Sequence, residues 1–149
     1  MDTPKNFGAL FDEGGNLVHT LVAGAASDAS EKTGAVVDRQ GFNSGSILIP
    51  WAATCTDTKK LTVTVKRYQS ADNSNWDAAE TVQAATDVFT AADPTLSGTG
   101  VIRIDEDWSS VKRYVKYSVT ADLNASSADT ATYGLIVVKG GAVDLPAND

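Results

Sequence analysis

The chain has 149 residues, a length that suits one domain able to bury a hydrophobic core without disulfides or metals. Its formal net charge is −7, from 19 acidic and 12 basic residues, and this disfavours nucleic-acid binding because such a surface repels phosphates. The single cysteine, Cys55, excludes an internal disulfide and a cysteine-based zinc site.

Residues 1–15 are predicted to form an extended arm. A proline and three glycines interrupt any helix there, while Phe7, Leu10 and Phe11 supply apolar side chains. We expect these three residues to contact either this domain or a neighbouring protein, with a disordered tail as the alternative. The segment lacks the basic and apolar regions of a secretion signal. No run of the chain is long and apolar enough to span a membrane, so we expect a soluble protein without membrane contact.

The next elements are short strands. Residues 16–22 and Thr33–Arg39 are the first two candidates, separated by a small polar loop. Gln40–Gly45 is predicted to form a turn, because its two glycines can adopt positive φ. Ser46–Thr54 follows as a strand that is apolar on both faces at its start. Pro50 lacks an amide hydrogen, which predicts a bulge or an edge position there.

Two segments show the clearest strand pattern. Lys59–Tyr68 and Lys112–Asp122 alternate apolar with polar residues, the period of two that marks a strand with one buried face. β-Branched and aromatic residues predominate at their apolar positions, which suits a pleated surface.

The region between these segments is less regular. We predict strands at Glu80–Ala84 and Asp87–Thr90, a loop at Asp93–Gly100 and a strand at Val101–Asp105. Trp108 is expected to anchor the turn that follows.

The last predicted strand is Thr130–Lys139. It contains a continuous apolar run at residues 135–138, which is typical of a strand covered on both sides. Gly140–Asp149 is predicted to be a glycine hinge with a short acidic tail, in which Val143 and Leu145 are candidate partner contacts.

These elements predict an all-β fold. Seven to nine short strands without a convincing helix indicate an antiparallel β-sandwich, either jelly-roll-like or immunoglobulin-like. The Cys–Trp–Cys spacing of immunoglobulin domains is absent. We therefore expect an N-terminal arm at 1–15, a β-sandwich domain at 16–139 and a C-terminal tail at 140–149.

Few residues suggest a chemical site. The carboxylates at 105–107 are the densest acidic group, but neighbours on a strand alternate faces, so at most two converge and a solvated turn is favoured over a calcium site. Asp72–Asp77 resembles a calcium loop in composition only. The lone histidine, His19, has no triad signature around it, and Cys55 is expected to be a small buried hydrophobe. We predict no catalytic, metal-binding or cofactor-binding residue, and we do not expect the protein to be an enzyme.

The tryptophans, at positions 51, 76 and 108, leave two alternatives open. Exposed tryptophans on a sandwich can stack on sugar rings, which would make this a carbohydrate-binding module. Core packing or loop anchoring is the favoured interpretation, because the three residues are spread along the chain.

Several phrases together resemble a group of small acidic virion proteins of tailed bacteriophages. One is an Asp-Arg-Gln-Gly-aromatic turn before an apolar strand, here residues 38–42. Another is a valine-rich hairpin ending in tryptophan, here Leu61–Trp76. The third is an Arg-Tyr-Val strand, here residues 113–115. The resemblance covers about residues 33–142, and its motifs are structural rather than catalytic.

The resemblance implies a capsid cement, or decoration, protein with a jelly-roll-like fold and extended N- and C-terminal arms. Such a protein is made in the host cytoplasm, lies on the capsid exterior of the virion and clamps neighbouring copies of the major capsid protein. It is expected to be a homo-oligomer, a dimer or a trimer, with copies meeting at symmetry axes. The alternative is a ligand-binding sandwich, such as a carbohydrate-binding module or a head-fibre base.

Overall fold

The computed structural model describes residues 17–22, 30–56, 58–92, 95–123 and 129–142, and for 17–22 and 142 the backbone alone. The described residues form nine strands and no helix, and none of them builds a helix that could span a membrane. The strands are β1 (Leu17–Val22), β2 (Glu31–Thr33), β3 (Val37–Asp38), β4 (Phe42–Thr56), β5 (Lys60–Ser70), β6 (Glu80–Thr90), β7 (Thr95–Asp107), β8 (Tyr114–Leu123) and β9 (Thr130–Ala142).

The strands make two antiparallel sheets. The first has the order β1-β9-β4-β7, and the second has the order β2-β8-β5-β6, with β3 also paired to β8. The pairs β1–β9, β2–β8, β4–β7 and β5–β6 are nested along the chain and alternate between the sheets. This is the jelly-roll arrangement, so the predicted all-β, jelly-roll-like sandwich is confirmed.

The core lies between the two sheets. The predicted alternation of the clearest strands is confirmed: Leu61, Val63 and Val65 of β5 are buried, as are Val115 and Val119 of β8. Each such side chain contributes roughly 1.5–3 kcal/mol by leaving water. The facing sheet supplies the buried residues Ile47, Ile49, Ala53, Cys55, Ala131, Tyr133, Leu135 and Val137.

The prediction of a loop at Asp93–Gly100 is wrong from Thr95 onward, and its first two residues lie outside the described residues. β7 begins at Thr95 and pairs with β4 without a register shift as far as Thr56. Gly98 and Gly100 weaken the sequence signal for a strand, but the rings of Phe89 and Trp51 pack where their side chains would stand. Tertiary packing therefore outweighs local propensity.

The prediction for Pro50 is also wrong. β4 is an interior strand, and its registers with β7 and β9 show no shift around Pro50. The ladder to β9 instead lacks its pairs at Ile49 and Pro50. The missing amide is thus accommodated by a local gap in one ladder, since proline cannot donate there.

Other boundaries move by a few residues. The single strand predicted at Thr33–Arg39 is divided into β2 and β3, and the two predicted at 80–90 form one strand with register shifts against β5. β4 starts at Phe42 rather than at Ser46, and β9 continues to Ala142.

We expect Gly45→Ala to destabilise the fold more than Gly100→Ala. A Cβ at Gly45 would lie 2.0 Å from Trp108 Cζ2, and that ring is fully buried and cannot move away. A Cβ at Gly100 would lie 2.7 Å from Trp51 Cζ2, but this ring is half-buried and can shift. Urea denaturation should show a loss of about 1–3 kcal/mol or more for Gly45→Ala. Equal stability of the two variants would contradict this packing argument.

Candidate interaction face

The first sheet has an outer face directed away from the core. Residues paired in a ladder share a face, and the inward positions of β4 and β9 are odd-numbered. The outer face therefore carries the even-numbered residues of β4 and β9 and the odd-numbered residues of β7. Its described side chains come from Ser44, Ser46, Leu48, Pro50, Ala52, Thr54, Ser97, Thr99, Val101, Arg103, Asp105, Asp107, Thr130, Thr132, Ile136 and Val138.

The middle of the outer face is apolar. Leu48 of β4 lies between Ile136 of β9 and Arg103 of β7, and the next row places Pro50 beside Val101. Leu48, Pro50 and Ile136 are half-buried, while Val101 is 62% exposed. The apolar runs of β4 and β9 predicted strands that are apolar on both faces, and the run of β9 also predicted cover on both sides. Both strands are apolar on both faces, but the described residues cover only the inner face.

The two ends of the outer face are polar. One end is lined by hydroxyls, where Thr54 Oγ1 lies 2.7 Å from Ser97 Oγ. At the other end Asp105 accepts hydrogen bonds from Ser46 Oγ at 2.5 Å and from Arg103 Nε at 2.9 Å. Arg103 is the sole cation among the outer-face side chains named above. The face is therefore uncharged over most of its area.

Three shallow depressions lie along the described part of the outer face. The largest, about 420 Å³, lies at the acidic end and includes Ser44 and Asp107. A second, about 310 Å³ and mainly apolar, lies where Gly134 leaves space beside Pro50. A third of about 200 Å³ lies among the hydroxyls at the opposite end. These are open surface features that suit contact with another macromolecule rather than enclosure of a small substrate.

The outer face of the second sheet has the opposite character, because it is rich in ion pairs. Lys66 Nζ lies 3.1 Å from Glu31 Oε2, and Lys60 Nζ lies 2.7 Å from Asp87 Oδ2. The Lys116 ammonium lies 4.0 Å from the centroid of the Trp76 ring. A charged, hydrated surface of this kind is costly to desolvate in an interface.

The carboxylates at 105–107 alternate faces as expected, but they form the end of β7, so the prediction of a solvated turn is wrong. Asp105 and Asp107 point to the outer face, whereas Glu106 points inward with 8% of its side chain exposed. Glu106 Oε1 accepts a hydrogen bond from Arg67 Nη1 at 3.1 Å. Its Oε2 accepts one from Trp108 Nε1 at 3.1 Å and another from the Tyr117 hydroxyl. This buried group joins the two sheets, and no local pattern in the chain signals it because its members come from separate strands.

The phenol of Tyr117 is held neutral in this group. Burial raises its pKa, and the adjacent Glu106 carboxylate raises it further. Trp108 Nε1 also donates to the Tyr117 oxygen at 2.9 Å. Every polar atom of the tyrosine and the indole is thus paired, which indicates an anchor rather than a reactive site.

The other candidate residues do not converge on a site. Asp72 Oδ1 accepts from the amides of Ser74 and Asn75 at 2.9 and 2.8 Å, so the calcium-like segment is a turn closed by its own aspartate. Cys55 is fully buried, and burial followed by the charge of Asp129 raises its thiol pKa. Among the described residues, no three His, Cys, Asp or Glu side chains could hold a metal ion together.

His19 is described by its backbone alone, which pairs with Tyr133 in β1–β9. The sheet order places β9 between its strand and β4, the strand of Cys55. The predicted partner contacts Phe7, Leu10, Phe11, Val143 and Leu145 lie outside the described residues and stay predictions.

The three tryptophans serve mainly as packing groups. Trp108 is fully buried, and Trp51 is half-buried with its ring centroid 5.8 Å from that of Phe89. Trp76 is half-buried beneath Lys116. None of the three is fully exposed, in line with the favoured interpretation of core packing and loop anchoring.

Two of the three motifs of the phage resemblance, residues 38–42 and 113–115, meet in one structural contact. Arg39 donates to the carbonyls of Lys112, at 3.0 Å from Nε, and of Val111. Arg113 Nη2 lies 2.7 Å from Asp38 Oδ2. The turn closes by a hydrogen bond from Phe42 N to Arg39 O at 2.8 Å, and Gly41 takes a φ of +82° there. The motif residues therefore fasten the start of β8 to the start of β4.

Comparison with known proteins concerns the fold alone. No family model matches the chain, and no curated protein is significantly similar to it. A chain from infectious bursal disease virus, Gx strain, aligns over 91% of this chain with 15% identity and a TM-score of 0.47. The present chain spans only 35% of that viral chain.

Carbohydrate-binding modules are also among the similar structures. A CBM4 module aligns over 83% of this chain and 71% of its own length, with 12% identity and a TM-score of 0.40. A xylan-binding CBM22 domain from Paenibacillus barcinonensis aligns over 88% and 85%, with 10% identity and a TM-score of 0.35. The structural neighbours thus include both viral particle chains and carbohydrate-binding domains.

We expect Tyr117→Phe to lower the free energy of unfolding by about 1–3 kcal/mol, because the buried Glu106 carboxylate loses a hydrogen-bond donor. The matched control is Tyr68→Phe, since the Tyr68 hydroxyl also donates to a carboxylate, that of Glu31, but nearer to solvent. Water can replace the lost donor at Tyr68, so its cost should be smaller. Equal shifts of the two urea midpoints would contradict the anchoring role of Tyr117.

The ion pair of Asp38 should contribute to stability in a pH-dependent way. Hydrogen bonds from Arg113, and then from the Gln40 amide, lower the pKa of Asp38 in the folded protein. The contribution to stability is therefore fully present above the pKa of the unfolded state, about 4. It is lost as the pH falls through the lower pKa of the folded state. We expect a stability difference of under about 1 kcal/mol between wild type and Asp38→Asn at neutral pH, since the pair is exposed. Acid titration should close this gap, and a gap that persists at low pH would refute the assignment.

Proposed function

We propose that this chain is a structural virion protein that binds the outside of a phage capsid and stabilises contacts between major capsid subunits. The observation that carries the proposal is the outer face of the first sheet. Its central strands, β4 and β9, bear apolar residues on both faces, and only the inner face is covered by described residues. An apolar, weakly charged face of this kind is typical of a surface that meets a partner.

The distribution of charge also supports binding through the outer face of the first sheet. Acidic and basic side chains on the second sheet form ion pairs with one another, whereas the outer face of the first sheet carries little charge. Docking through the first sheet would desolvate few ions. Docking through the second would desolvate many, at a cost that imperfect pairing does not recover.

The positions of the chain ends also support this arrangement. Residues 1–16 enter the body at β1, and residues 143–149 leave it after β9, so both segments join the first sheet. In the β1–β9 ladder Leu17 pairs with Leu135, and β9 runs on from there to Ala142. The N-terminal segment therefore joins the sheet beside the middle of β9 and the C-terminal segment joins it at the end of β9. From these positions, arms carrying Phe7, Leu10, Phe11, Val143 and Leu145 could add contacts to the same partner.

A role without chemistry is consistent with the described side chains. The carboxylates at 105–107, Asp72 and Cys55 are each occupied by packing or hydrogen bonds within the fold. Virion stabilisation needs only many weak contacts, which gain strength when identical copies bind a repeating lattice.

The carbohydrate-binding alternative has one observation in its favour. The hydroxyl-lined end of the outer face presents Thr54, Ser97, Thr99, Thr130 and Thr132 around a shallow depression, and such groups can exchange hydrogen bonds with a sugar. A glycan-array screen separates the two functions, because a cement protein should bind heads and no glycan.

The direct test is cosedimentation with heads of the phage that encodes the chain. We expect wild-type protein to pellet with the heads and to saturate at a fixed ratio to the major capsid protein. Ile136→Glu should weaken binding about tenfold or more, since it places a charge in the middle of the outer face. The control is Thr64→Glu on the outer face of the second sheet, which should bind like wild type.

Thermal unfolding should first confirm that both variants are folded. A shortened chain lacking residues 1–14 tests the arm, and its reduced occupancy is the expected result. Failure of the wild-type protein to pellet with heads, or equal binding by Ile136→Glu and Thr64→Glu, would overturn the proposed face.

A further inference from the structure

β7 forms one edge of the first sheet, and no described strand pairs with its outer side. Its one strand partner among the described residues is β4. The odd-numbered residues from Thr95 to Asp107 are all exposed. A strand edge in this state presents unpaired backbone groups to any strand that approaches.

The register shows which backbone groups point outward. Trp108 N donates to Asn43 O at 2.7 Å, one step beyond the β4–β7 ladder and in the same register. Even-numbered residues of β7 therefore exchange hydrogen bonds with β4, and the odd-numbered ones direct their amides and carbonyls to the free edge. The pairing of Val101 with Pro50 agrees, since Pro50 has no amide hydrogen to offer β7.

β7 has neither the short length nor the register shifts of the other described edges. β2 has 3 residues and β1 has 6, while β6 is interrupted by register shifts against β5. β7 has 13 residues in a continuous register and contains neither proline nor lysine. Long, regular and partly apolar edges of this kind are normally covered in the working assembly.

We propose that β7 pairs with β7 of a second copy of this chain, antiparallel about a two-fold axis that passes through Val101. Val101 is the midpoint of the strand, so this register alone aligns β7 over its whole length. It also places the most exposed large apolar side chain of the described surface, 62% exposed, against its own copy. A two-fold contact between identical strands closes after two copies and leaves no free β7 edge.

The sequence of β7 is self-complementary in this register. Thr99 meets Arg103 of the second copy, and Ser97 meets Asp105. Thr95 meets Asp107 in the same way, so no two like charges face each other. The uncharged half of one strand lies along the charged half of the other. Centring the pairing on Arg103 would instead oppose two guanidinium groups, which is unfavourable across a ladder.

The pairing has a consequence for the whole surface. Four strands from each copy join into one continuous sheet, and the two outer faces become one surface of twice the area. The inference stands apart from capsid binding, because it concerns only contacts between copies in solution.

The test places complementary charges on the proposed two-fold axis at Val101. Val101→Lys and Val101→Asp each place two like charges together, so each variant alone should sediment as a monomer while wild type sediments as a dimer. An equimolar mixture should form a dimer again, because lysine then meets aspartate. Ala84→Lys, at an exposed position of the β6 edge, is the matched control and should remain dimeric. Thermal unfolding verifies that each variant is folded.

Hydrogen exchange supplies a second readout on the unmodified protein. Amides of the odd-numbered β7 residues should be protected in wild type and exchange at least about tenfold faster in Val101→Lys, since dissociation returns them to water. A wild-type monomer or trimer would overturn the proposal. So would a dimer that survives Val101→Lys, or β7 amides that stay protected in a monomer because another segment covers them.

Discussion

The fold depends on a buried polar contact between its two sheets. Glu106 of β7 accepts hydrogen bonds from Arg67 of β5 and Tyr117 of β8, and the Trp108 indole closes the group. A carboxylate this deep requires a full set of donors, because an unpaired buried charge is costly. Among the described residues, β7 has a strand neighbour on one side only, so this contact, together with Ile102 and Ile104 packed against the core, holds the edge strand against the second sheet. The geometry of the free edge follows from it.

The same packing explains why small residues occur where rings cross between the sheets. Gly45 leaves room for Trp108, and Gly100 leaves room for Trp51. The result is a stiff body whose described polar groups are largely satisfied internally. Its remaining capacity for interaction lies in the outer face and the β7 edge.

The sequence predicted the fold where one strand carries its own signal. Alternation in β5 and β8 identified their buried faces, and the apolar run of β9 indicated a strand with apolar residues on both sides. The prediction from the sequence failed at residues 95–100, because the hydroxyl residues and glycines there resemble a loop. The pairing with β4 and the rings that pack over Gly98 and Gly100 make this segment a strand. The prediction of a bulge or an edge position at Pro50 failed because a local gap in the β4–β9 ladder accommodates the missing amide hydrogen.

The interaction face was only partly predictable. Apolar residues on both sides of β4 and β9 could be read from the chain, but the sheet order that brings Leu48, Ile136 and Val101 together could not. The Glu106 contact was also hidden, because Arg67, Glu106 and Tyr117 lie on three strands. The Asp38 and Arg39 motif proved to be a structural clasp, which agrees with the non-catalytic character of the resemblance.

The central claim is that the protein acts through the outer face of its first sheet. An electron cryomicroscopy reconstruction of phage heads saturated with the protein tests this most directly. We expect density for the sandwich on the capsid exterior, with β4 and β9 facing the major capsid protein and the charged second sheet facing solvent. Density with the second sheet against the capsid, or heads without added density, would contradict it.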